Sequence, residues 1–464
     1  MTEKMNRAIV AISGGLITYF TLTFIEQRDF STIVNLMFGS DDNYVNLHSL
    51  LLIIGIMFIV HISDEIGTFQ FLAVLMIKMS RGKPIPLMII LCTVSVIFSS
   101  LLNNILTVMI LIPLTITTSR VLNVSPTPYI LTQAVMVNIG GTIFSISSIP
   151  NILIFIYNPT IEISFVEYFL EIGFFSVVTF GFSVLLFVFL YKNELSIPKD
   201  KAIKILLYDF DVWNVVQSRR LLYASLGGLI TLMISFVIIP EDFLPPEAIA
   251  LSIAMILTIV SRLDAKEIIN KFDFELIFYL LGIFVLVGGL EETNVTDILS
   301  NILQDIGGGN EFYQIIVIMW IAAFTSSIVD NVPVTKVFLP ITTGLASDSS
   351  SLNKYYYGLS IGANWGDNLT PLGDNILVLN IAKENNRPIS IKTFWKLGFM
   401  TTIYQLCLAT LYFTLIYHFV FAVLVISIIC IILGLLVVLS KSGPFKVHTI
   451  IDSIVFKFRS FIIT

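Results

Sequence analysis

The stretch SSLLNNILTVMILIPLT at Ser99–Thr115 returns 227 positions later as SSIVDNVPVTKVFLPIT at Ser326–Thr342. At the same offset, IIGIMFIVHISDEIG at Ile53–Gly67 aligns with LLGIFVLVGGLEETN at Leu280–Asn294. Two unrelated segments that share one offset indicate an internal duplication. Each copy places polar or acidic residues inside an apolar run, and paired interruptions of this kind are the pointer to a binding site in secondary transporters.

The composition excludes a soluble protein. Of the 464 residues, 56% are hydrophobic and 12% are charged, and the mean hydropathy is +0.92. A soluble fold of this size could not bury so much apolar surface, so we expect an all-α polytopic membrane protein. The net charge of −6 gives no indication of nucleic-acid binding. No nucleophile–base set, metal cluster or phosphate loop in the sequence points to an enzyme.

Ten apolar segments have spanning or near-spanning length, which predicts about ten transmembrane helices. They are residues 8–25, 47–79, 127–157, 165–191, 221–239, 247–260, 274–290, 355–382, 394–417 and 420–440. Two further apolar stretches, 85–118 and 312–345, carry the repeated polar motif near their middle. Each of these could cross twice or form a re-entrant hairpin, because irregular backbone is tolerated at membrane depth where it lines a cavity.

The basic residues predict the orientation in the membrane. If each interrupted stretch leaves the membrane on the side from which it entered, 23 of the 26 Lys and Arg residues are cytoplasmic. This distribution is what the positive-inside rule expects. Both termini are then cytoplasmic in a multi-pass cell-membrane protein, and the two copies have inverted topology. We expect a first repeat at 1–191, a cytoplasmic linker at 192–220, a second repeat with extra helices at 221–440 and a cytoplasmic tail at 441–464.

A second interrupted segment follows each hairpin. Val137–Ile154 reads VNIGGTIFSISSIPNILI, and Gly362–Leu379 reads GANWGDNLTPLGDNILVL. Gly, Asn, Ser, Thr and Pro within a spanning run favour unwound backbone, which frees carbonyl oxygens and exposes two half-helix ends. Such a site can bind Na⁺ through neutral oxygens and a nearby carboxylate, or an anion through helix N-termini and side-chain donors.

Carboxylates cluster in the second copy. It has acids where the first has neutral residues, in the pairs Asn103/Asp330, Gly141/Asp367 and Ser148/Asp374. A carboxylate at membrane depth is costly and by default indicates an ion or proton pathway. The three acids are therefore candidates to share a proton and a cation in competition. Asp330 could instead cap a turn or pair with Lys336, and Asp374 could be a half-helix N-cap.

Lys336 is the basic residue that this topology leaves inside the membrane. It is a candidate charge partner of Asp330 or Asp367, which a bound cation would displace. It could also attract an anionic substrate, or extend its ammonium group to the membrane surface as a snorkelling side chain.

Several motifs resemble, in order, those of the ion transporter superfamily, which includes arsenite permeases of the ArsB type, sodium/proton antiporters of the NhaD type, the P protein and citrate or dicarboxylate transporters. They include SSLLNNILTVMILIP, NIGGT followed by PNI, FDFELIFYLLGIFVLVGGLEET, SSIVDNVPVTKVFLP and GDNLTPLGDN. The resemblance runs from about Leu47 to Leu397. It implies two inverted-topology repeats, each with a re-entrant hairpin and a broken helix, and a homodimer.

The resemblance also implies which residues bind the ion or substrate. The hairpin-tip positions are Asn103, Asn104, Asp330 and Asn331, and the broken-helix positions are Asn138, Gly140, Gly141, Thr142, Asn364, Asp367, Asn368, Thr370 and Asp374. A possible Na⁺ site lies at Asp330, Asp367, Asn368 and Asp374. The first copy departs from the family pattern, because Ser147-Ser148-Ile149-Pro150-Asn151 lacks the acid of the usual Gly-Asp-Pro-Pro-Asn.

These observations predict a secondary active transporter that works by alternating access and exchanges Na⁺ for H⁺, with no cofactor besides these coupling ions. LTPLGD resembles the sodium/proton antiporter branch, and neither broken helix has a clear Ser-Asn-Thr pair of the dicarboxylate carriers. The alternative is a Na⁺- or H⁺-coupled permease for citrate or dicarboxylates, or an arsenite efflux permease. A channel is a third class, which nothing in the sequence favours. The expected partners are a small ion or anion and the lipid bilayer.

Overall fold

The computed structural model describes residues 6–40, 44–157, 163–195, 212–240, 243–263, 265–270, 272–346, 349–372, 374–442 and 457. Within these ranges every regular element is a helix, which confirms the all-α prediction. The first half contains α1 (Arg7–Phe24), α2 (Phe30–Phe38), α3 (Val45–Ile66), α4 (Thr68–Met79), α5 (Pro84–Ser99), α6 (Asn104–Leu122), α7 (Thr127–Gly140), α8 (Ile149–Tyr157) and α9 (Phe165–Tyr191).

The second half begins with a short 3₁₀ turn, Val212–Val215. It continues with α10 (Arg219–Ile238), α11 (Pro246–Ser261), α12 (Ala265–Asn270), α13 (Phe274–Glu292), α14 (Val295–Ile306), α15 (Glu311–Ser326), α16 (Asn331–Leu345), α17 (Ser349–Gly366), α18 (Asp374–Glu384), α19 (Ile391–Tyr417) and α20 (Phe419–Ser442). Seven helices in the described ranges, α1, α3, α6, α9, α10, α13 and α19, are long and apolar enough to cross a membrane by themselves. The number of crossings, about ten, stays a prediction.

The predicted crossing at 47–79 is two helices rather than one. α3 ends where Gly67 adopts the left-handed conformation, with φ +86°, and α4 begins at the next residue. A side chain is disfavoured there, because a Cβ at position 67 would lie 1.9 Å from the carbonyl oxygen of Val215. The DEIG motif therefore marks a turn that the segment before α10 covers.

Helices of the two halves pack in matching pairs. α5 packs on α7 as α15 packs on α17, and α6 contacts α18 as α16 contacts α8. α1 packs on α13 of the second half, whereas α11 packs on α3 of the first half. The order of helices and their neighbours thus repeats along the chain. The opposite orientation of the two repeats in a bilayer and the boundaries given for the domains stay predictions.

Both interrupted stretches are pairs of helices separated by short turns. α6 begins after Asn103, whose Oδ1 accepts a hydrogen bond from Leu106 N at 2.8 Å, and α16 begins after Asp330, whose Oδ1 accepts one from Val332 N at 3.1 Å. Asn and Asp are favoured at such N-caps because their side chains bind amides that the helix leaves unpaired. The two tips line one narrow gap of about 30 Å³. Two re-entrant hairpins that meet inside a membrane would have this arrangement.

Candidate functional site

A chain of buried polar side chains joins the first hairpin to the first broken helix. Ser99 Oγ lies 2.9 Å from Asn104 Oδ1 and 2.5 Å from the carbonyl oxygen of Val137. The amide of Asn104 donates to Asn138 Oδ1 at 2.7 Å. All three polar side chains are buried. Because α7 ends at Gly140, these hydrogen bonds hold the hairpin tip against the point at which the helix breaks.

The second repeat has a related set of contacts, in which a carboxylate takes part. Ser326 Oγ lies 2.6 Å from the carbonyl oxygen of Ala363 and 2.7 Å from Asp367 Oδ1. Asn331 donates its amide to Asp367 Oδ2 at 2.8 Å. Ser99 and Ser326 occupy equivalent positions in the two repeats. Ser99 contacts the amide oxygen of Asn104, whereas Ser326 contacts the carboxylate of Asp367. Asp367 lies in the 3₁₀ turn Asp367–Leu369, which interrupts the chain between α17 and α18.

Side-chain hydrogen bonds connect the broken segments of the two repeats. Asn138 Nδ2 donates to Asn368 Oδ1 at 2.8 Å, and Asn364 Nδ2 donates to Asn151 Oδ1 at 2.9 Å. Asn368 in turn donates to the carbonyl oxygen of Val135 at 3.2 Å. The predicted residues Asn104, Asn138, Asn364 and Asn368 therefore belong to one buried polar centre, and Asp367 is the residue next to Asn368.

Neutral oxygen atoms converge around the α-carbon of Gly141. A Cβ at this position would lie 3.3 Å from Asn104 Oδ1, 3.5 Å from the carbonyl oxygen of Asn138 and 3.5 Å from Asn364 Oδ1. Asn364 Oδ1 is buried and has no hydrogen-bond partner within the described ranges. A buried polar atom without a partner is costly, so this oxygen is available to a ligand that can accept its lone pairs. Carbonyl oxygens at an unwound helix are suitable ligands for Na⁺.

Asp330 and Lys336 lie outside this centre. Besides capping α16, Asp330 forms an ion pair with Arg7, at 3.3 Å between Oδ2 and Nη1. Lys336 is buried and donates to Asn46 Oδ1 at 2.9 Å rather than to Asp330 or Asp367, and its ammonium group lies 5.0 Å from the centroid of the Tyr157 ring. The cap alternative therefore describes Asp330, and among the described residues Lys336 is paired with neither Asp330 nor Asp367.

Gly140, Thr142 and Thr370 support the site rather than open into it. A Cβ on Gly140 would lie 2.6 Å from the carbonyl oxygen of Val96, so glycine allows α7 to approach α5 closely. Thr142 Oγ1 accepts a hydrogen bond from Trp365 Nε1 at 3.0 Å, and Thr370 Oγ1 donates to the carbonyl oxygen of Ser327. These contacts hold the two broken segments in place.

The contacts of two asparagines change the alignment of the repeats. Asn151 Nδ2 donates to the carbonyl oxygen of Gly141, and Asn375 Nδ2 donates to that of Asp367, both at 2.7 Å. Because Gly141 and Asp367 are equivalent, Asn151 corresponds to Asn375, and the first loop is two residues longer. Asp374 therefore corresponds to Pro150 and not to Ser148. The side chain of Asp374 lies outside the part of the chain that the structure describes.

Sequence reasoning missed four polar residues of the centre, namely Ser99, Asn151, Ser326 and Asn375. A signal was present for each. Ser99 and Ser326 begin the repeated hairpin motif, and the Asn-Ile pairs of PNI and DNI contain Asn151 and Asn375. Each of these buried side chains donates a hydrogen bond to a backbone carbonyl oxygen. Unwound segments need such donors because the helical hydrogen bonds are absent there.

Cavities adjoin the hairpin tips and Lys336. A cavity of about 440 Å³, here named the α3 cavity, is lined by Met57, Val60 and Asp64 of α3 and reaches Asn103 at the first tip. A cavity of about 420 Å³, here named the Lys336 cavity, is lined by Lys336, Asn46 and Glu291, among others. The narrow gap between the tips shares Asn103 and Asp273 with the α3 cavity. A polar centre close to such cavities is suited to binding a small solute.

Solved structures support the fold. The chain is similar to the crystal structure of the YdaH transporter of Alcanivorax borkumensis, with a TM-score of 0.55 and 13% sequence identity over 86% of this chain and 88% of that one. At this identity the likeness concerns the fold alone. It agrees with an all-helical fold that contains many apolar helices.

Similar sequences cover nearly the whole chain. The 46 kDa membrane protein of Mycobacterium leprae is 26% identical over 422 residues, which are 90% of this chain and 95% of that protein. An uncharacterized transporter of Synechocystis is 26% identical over 438 residues, or 89% and 93% of the two chains. The P protein of Sus scrofa is 22% identical over 497 residues, and the match covers 90% of this chain but only 58% of the P protein.

The family model described as "Citrate transporter" matches residues 1–246 and 236–458. This match spans far more than half of the chain, and the similar proteins named above include transporters. The chain therefore belongs to the CitMHS citrate transporter family, and it is a multi-pass membrane transporter.

Proposed function

We propose that the protein exchanges Na⁺ for H⁺ by alternating access. The observation that carries this proposal is the group of neutral oxygen atoms around Gly141, one of which is the unpaired Asn364 Oδ1. A monovalent cation needs several such oxygens and no fixed positive charge close by. The Asn138–Asn368 hydrogen bond links this group to the segment that carries the Asp367 carboxylate.

Asp367 supplies the group on which a proton and a cation compete. Its two carboxylate oxygens accept hydrogen bonds from the neutral donors Ser326 and Asn331, and the side chain is 6% exposed. A buried carboxylate is stabilised either by a proton or by a bound cation, and binding of one reduces the affinity for the other. The centre thus combines a cation site of neutral oxygens with an acid that can release or take up a proton.

The positions of the basic groups favour a cation as the substrate. Arg7 lines the gap between the tips, but it is bound to Asp330. Lys336 lines the other cavity and is bound to Asn46. An anion such as citrate would need positive charge or convergent donors at the tips, and the donors of Asn104, Asn138 and Asn331 are already bound to acceptors.

The distribution of cavities supports alternating access. The polar centre lies behind a narrow gap between the two tips, and the α3 cavity leads to that gap from one side. In the topology predicted from the basic residues, the ends of α3 and α13 that line this cavity are cytoplasmic. The conformation would then expose the tips toward the cytoplasm, and a movement of the hairpins relative to α3 and α13 would expose them to the other side.

The test is an assay of coupled flux. Purified protein is reconstituted into liposomes that contain a pH-sensitive dye, and Na⁺ or Li⁺ is added outside over pH 6 to 9. We expect a cation-dependent pH change whose half-saturating Na⁺ concentration rises by up to about tenfold for each unit of pH decrease, because one proton competes with one cation. Asp367→Asn should abolish the coupling, whereas Asp297→Asn, on an exposed face of α14, should retain it. The absence of any Na⁺- or Li⁺-dependent pH change would contradict the proposal.

A coupled anion permease is the second candidate, because the matched family is described as a citrate transporter and the Lys336 cavity contains a buried ammonium group. Liposomes that take up labelled citrate in a Na⁺- or H⁺-dependent way, and that lose this uptake in Lys336→Met, would favour it. Uptake of arsenite instead would indicate the arsenite permease alternative. If proteoliposomes take up no more of any anion than protein-free liposomes do, cation exchange is left as the proposed function.

A further inference from the structure

The α3 cavity combines apolar walls with carboxylates. Met57, Val60, Leu102, Leu106 and Ile152 form much of its wall, and the acids Asp64 and Asp273 are part of the lining. Within the described ranges its lining contains no Lys or Arg. At about 440 Å³ the cavity has the size of sites that bind drug-sized molecules.

Neither carboxylate forms a salt bridge with a Lys or Arg side chain within the described ranges. Asp64 Oδ1 accepts a hydrogen bond from Gln70 Nε2 at 2.7 Å, and Asp273 Oδ1 accepts one from Leu276 N at 2.9 Å. In the part of the chain that the structure describes, no salt bridge includes either residue. The second oxygen of each group is therefore left for water or a ligand. Carboxylates without a counter-ion next to apolar walls attract cations more strongly than the same groups in bulk water do.

Asp273 connects this cavity with the transport centre. The residue lines both the α3 cavity and the narrow gap between the hairpin tips, as does Asn103. A molecule that fills the cavity and places its charge near Asp273 would therefore lie directly beside the tips. It would separate the tips from α3, past which the hairpins have to move if the proposed alternating access is correct.

We propose that the α3 cavity is a binding site for amphipathic organic monocations, separate from the polar centre around Gly141. The apolar body of the ligand packs against α3, α6 and α8, and its positive charge is neutralised by Asp64 and Asp273. Bound there, the ligand blocks movement of the hairpins and so inhibits transport from the side on which the cavity opens. Binding itself does not depend on which ion the protein carries.

The test uses two probes of nearly equal shape and opposite charge. Tetraphenylphosphonium and tetraphenylborate are titrated into the full-length protein in lipid nanodiscs, and binding to empty nanodiscs is subtracted. We expect saturable one-to-one binding of tetraphenylphosphonium only. Asp64→Asn with Asp273→Asn should weaken it at least tenfold, while Asp297→Asn leaves it unchanged. Asn retains an acceptor for Gln70 and for the N-cap of α13, so the double variant should fold.

A second variant tests the cavity itself. Met109 lines the cavity and is half-exposed, so Met109→Trp can fill the space without overpacking the core, and it should also weaken tetraphenylphosphonium binding at least tenfold. Saturable binding of both probes, or equal affinity in all variants, would overturn the proposal and leave a cavity that accepts apolar molecules only. Binding of tetraphenylphosphonium by a protein that shows no Na⁺-dependent pH change would retain this inference and reject the proposed function.

Discussion

The side-chain amide of Asn138 donates a hydrogen bond of 2.8 Å to Asn368 Oδ1, and this contact joins the broken segment of the first repeat to that of the second. Both side chains are buried, and each makes a further hydrogen bond, Asn138 with Asn104 and Asn368 with Val135. The centre is consequently a single network to which both repeats contribute. The neutral oxygens around Gly141 include the carbonyl oxygen of Asn138. The Asp367 carboxylate belongs to the residue that precedes Asn368.

This contact should be measurable as a coupling free energy. Asn138→Ala and Asn368→Ala each leave buried polar groups without partners, so each should reduce the free energy of unfolding by about 1–2 kcal/mol. The double variant should lose less than the sum of the two. Unfolding in mixed detergent micelles measures the three values, and Asn301→Ala, at an exposed position of α14, is the control. Strict additivity would show that the bond does not couple the repeats.

Filling the space at Gly141 should weaken cation binding without unfolding the protein. Gly141 has φ −59° and ψ −11°, which alanine adopts without strain. The added methyl group would lie 3.3 Å from Asn104 Oδ1, where a cation would have to bind. We expect the half-saturating Na⁺ concentration of Gly141→Ala to rise at least tenfold and its unfolding midpoint to change little. Gly181→Ala is the matched control, because a Cβ there meets no atom within 4 Å.

Removal of the Lys336 ammonium group should affect stability more than cation exchange. Lys336→Met removes the hydrogen-bond donor of Asn46 Oδ1 and the positive charge in the cavity that Glu291 also lines. We expect the free energy of unfolding to fall by about 1–3 kcal/mol. Combination with Glu291→Gln should recover part of this loss. Lys354→Met removes a partly exposed lysine 3.9 Å from Glu311 and should change stability by less than about 1 kcal/mol. Loss of Na⁺-dependent flux at unchanged stability would instead place Lys336 in the transport path.

The turn at Gly67 should hold the segment that precedes α10. Gln217 N donates to the carbonyl oxygen of Ile66 at 3.1 Å, and the Trp213 ring packs 4.9 Å from Phe71. Gly67→Ala forces a side chain into a left-handed conformation and against Val215, at a cost of about 1–2 kcal/mol for the conformation alone. Tryptic cleavage at Arg219 and Arg220 should become faster in this variant. Cleavage of Gly227→Ala should match the unsubstituted protein, because a Cβ there meets no atom within 4 Å.

Local sequence determined much of the fold. Apolar run length and composition predict a helical membrane protein, and the repeated SSLLNN and SSIVDN motifs identify where the helices are interrupted. These features are readable because helix interruption depends on nearby residues, such as the capping side chains of Asn103 and Asp330. These motifs and those of the two broken segments, through their resemblance to the ion transporter superfamily, identified as candidate site residues Asn104, Asn138, Asn364, Asp367 and Asn368.

Only the tertiary structure decided which of these residues meet. Asp330 and Asp367 are equally acidic in the sequence, but Arg7, 323 residues from Asp330, binds the first of them. Lys336 contacts Asn46 across 290 residues and faces a different cavity from the one that reaches the tips. The register of the second broken segment also followed from hydrogen bonds of Asn151 and Asn375 and not from residue spacing. Partners so distant in the chain are chosen by helix packing, which leaves no local pattern in the sequence.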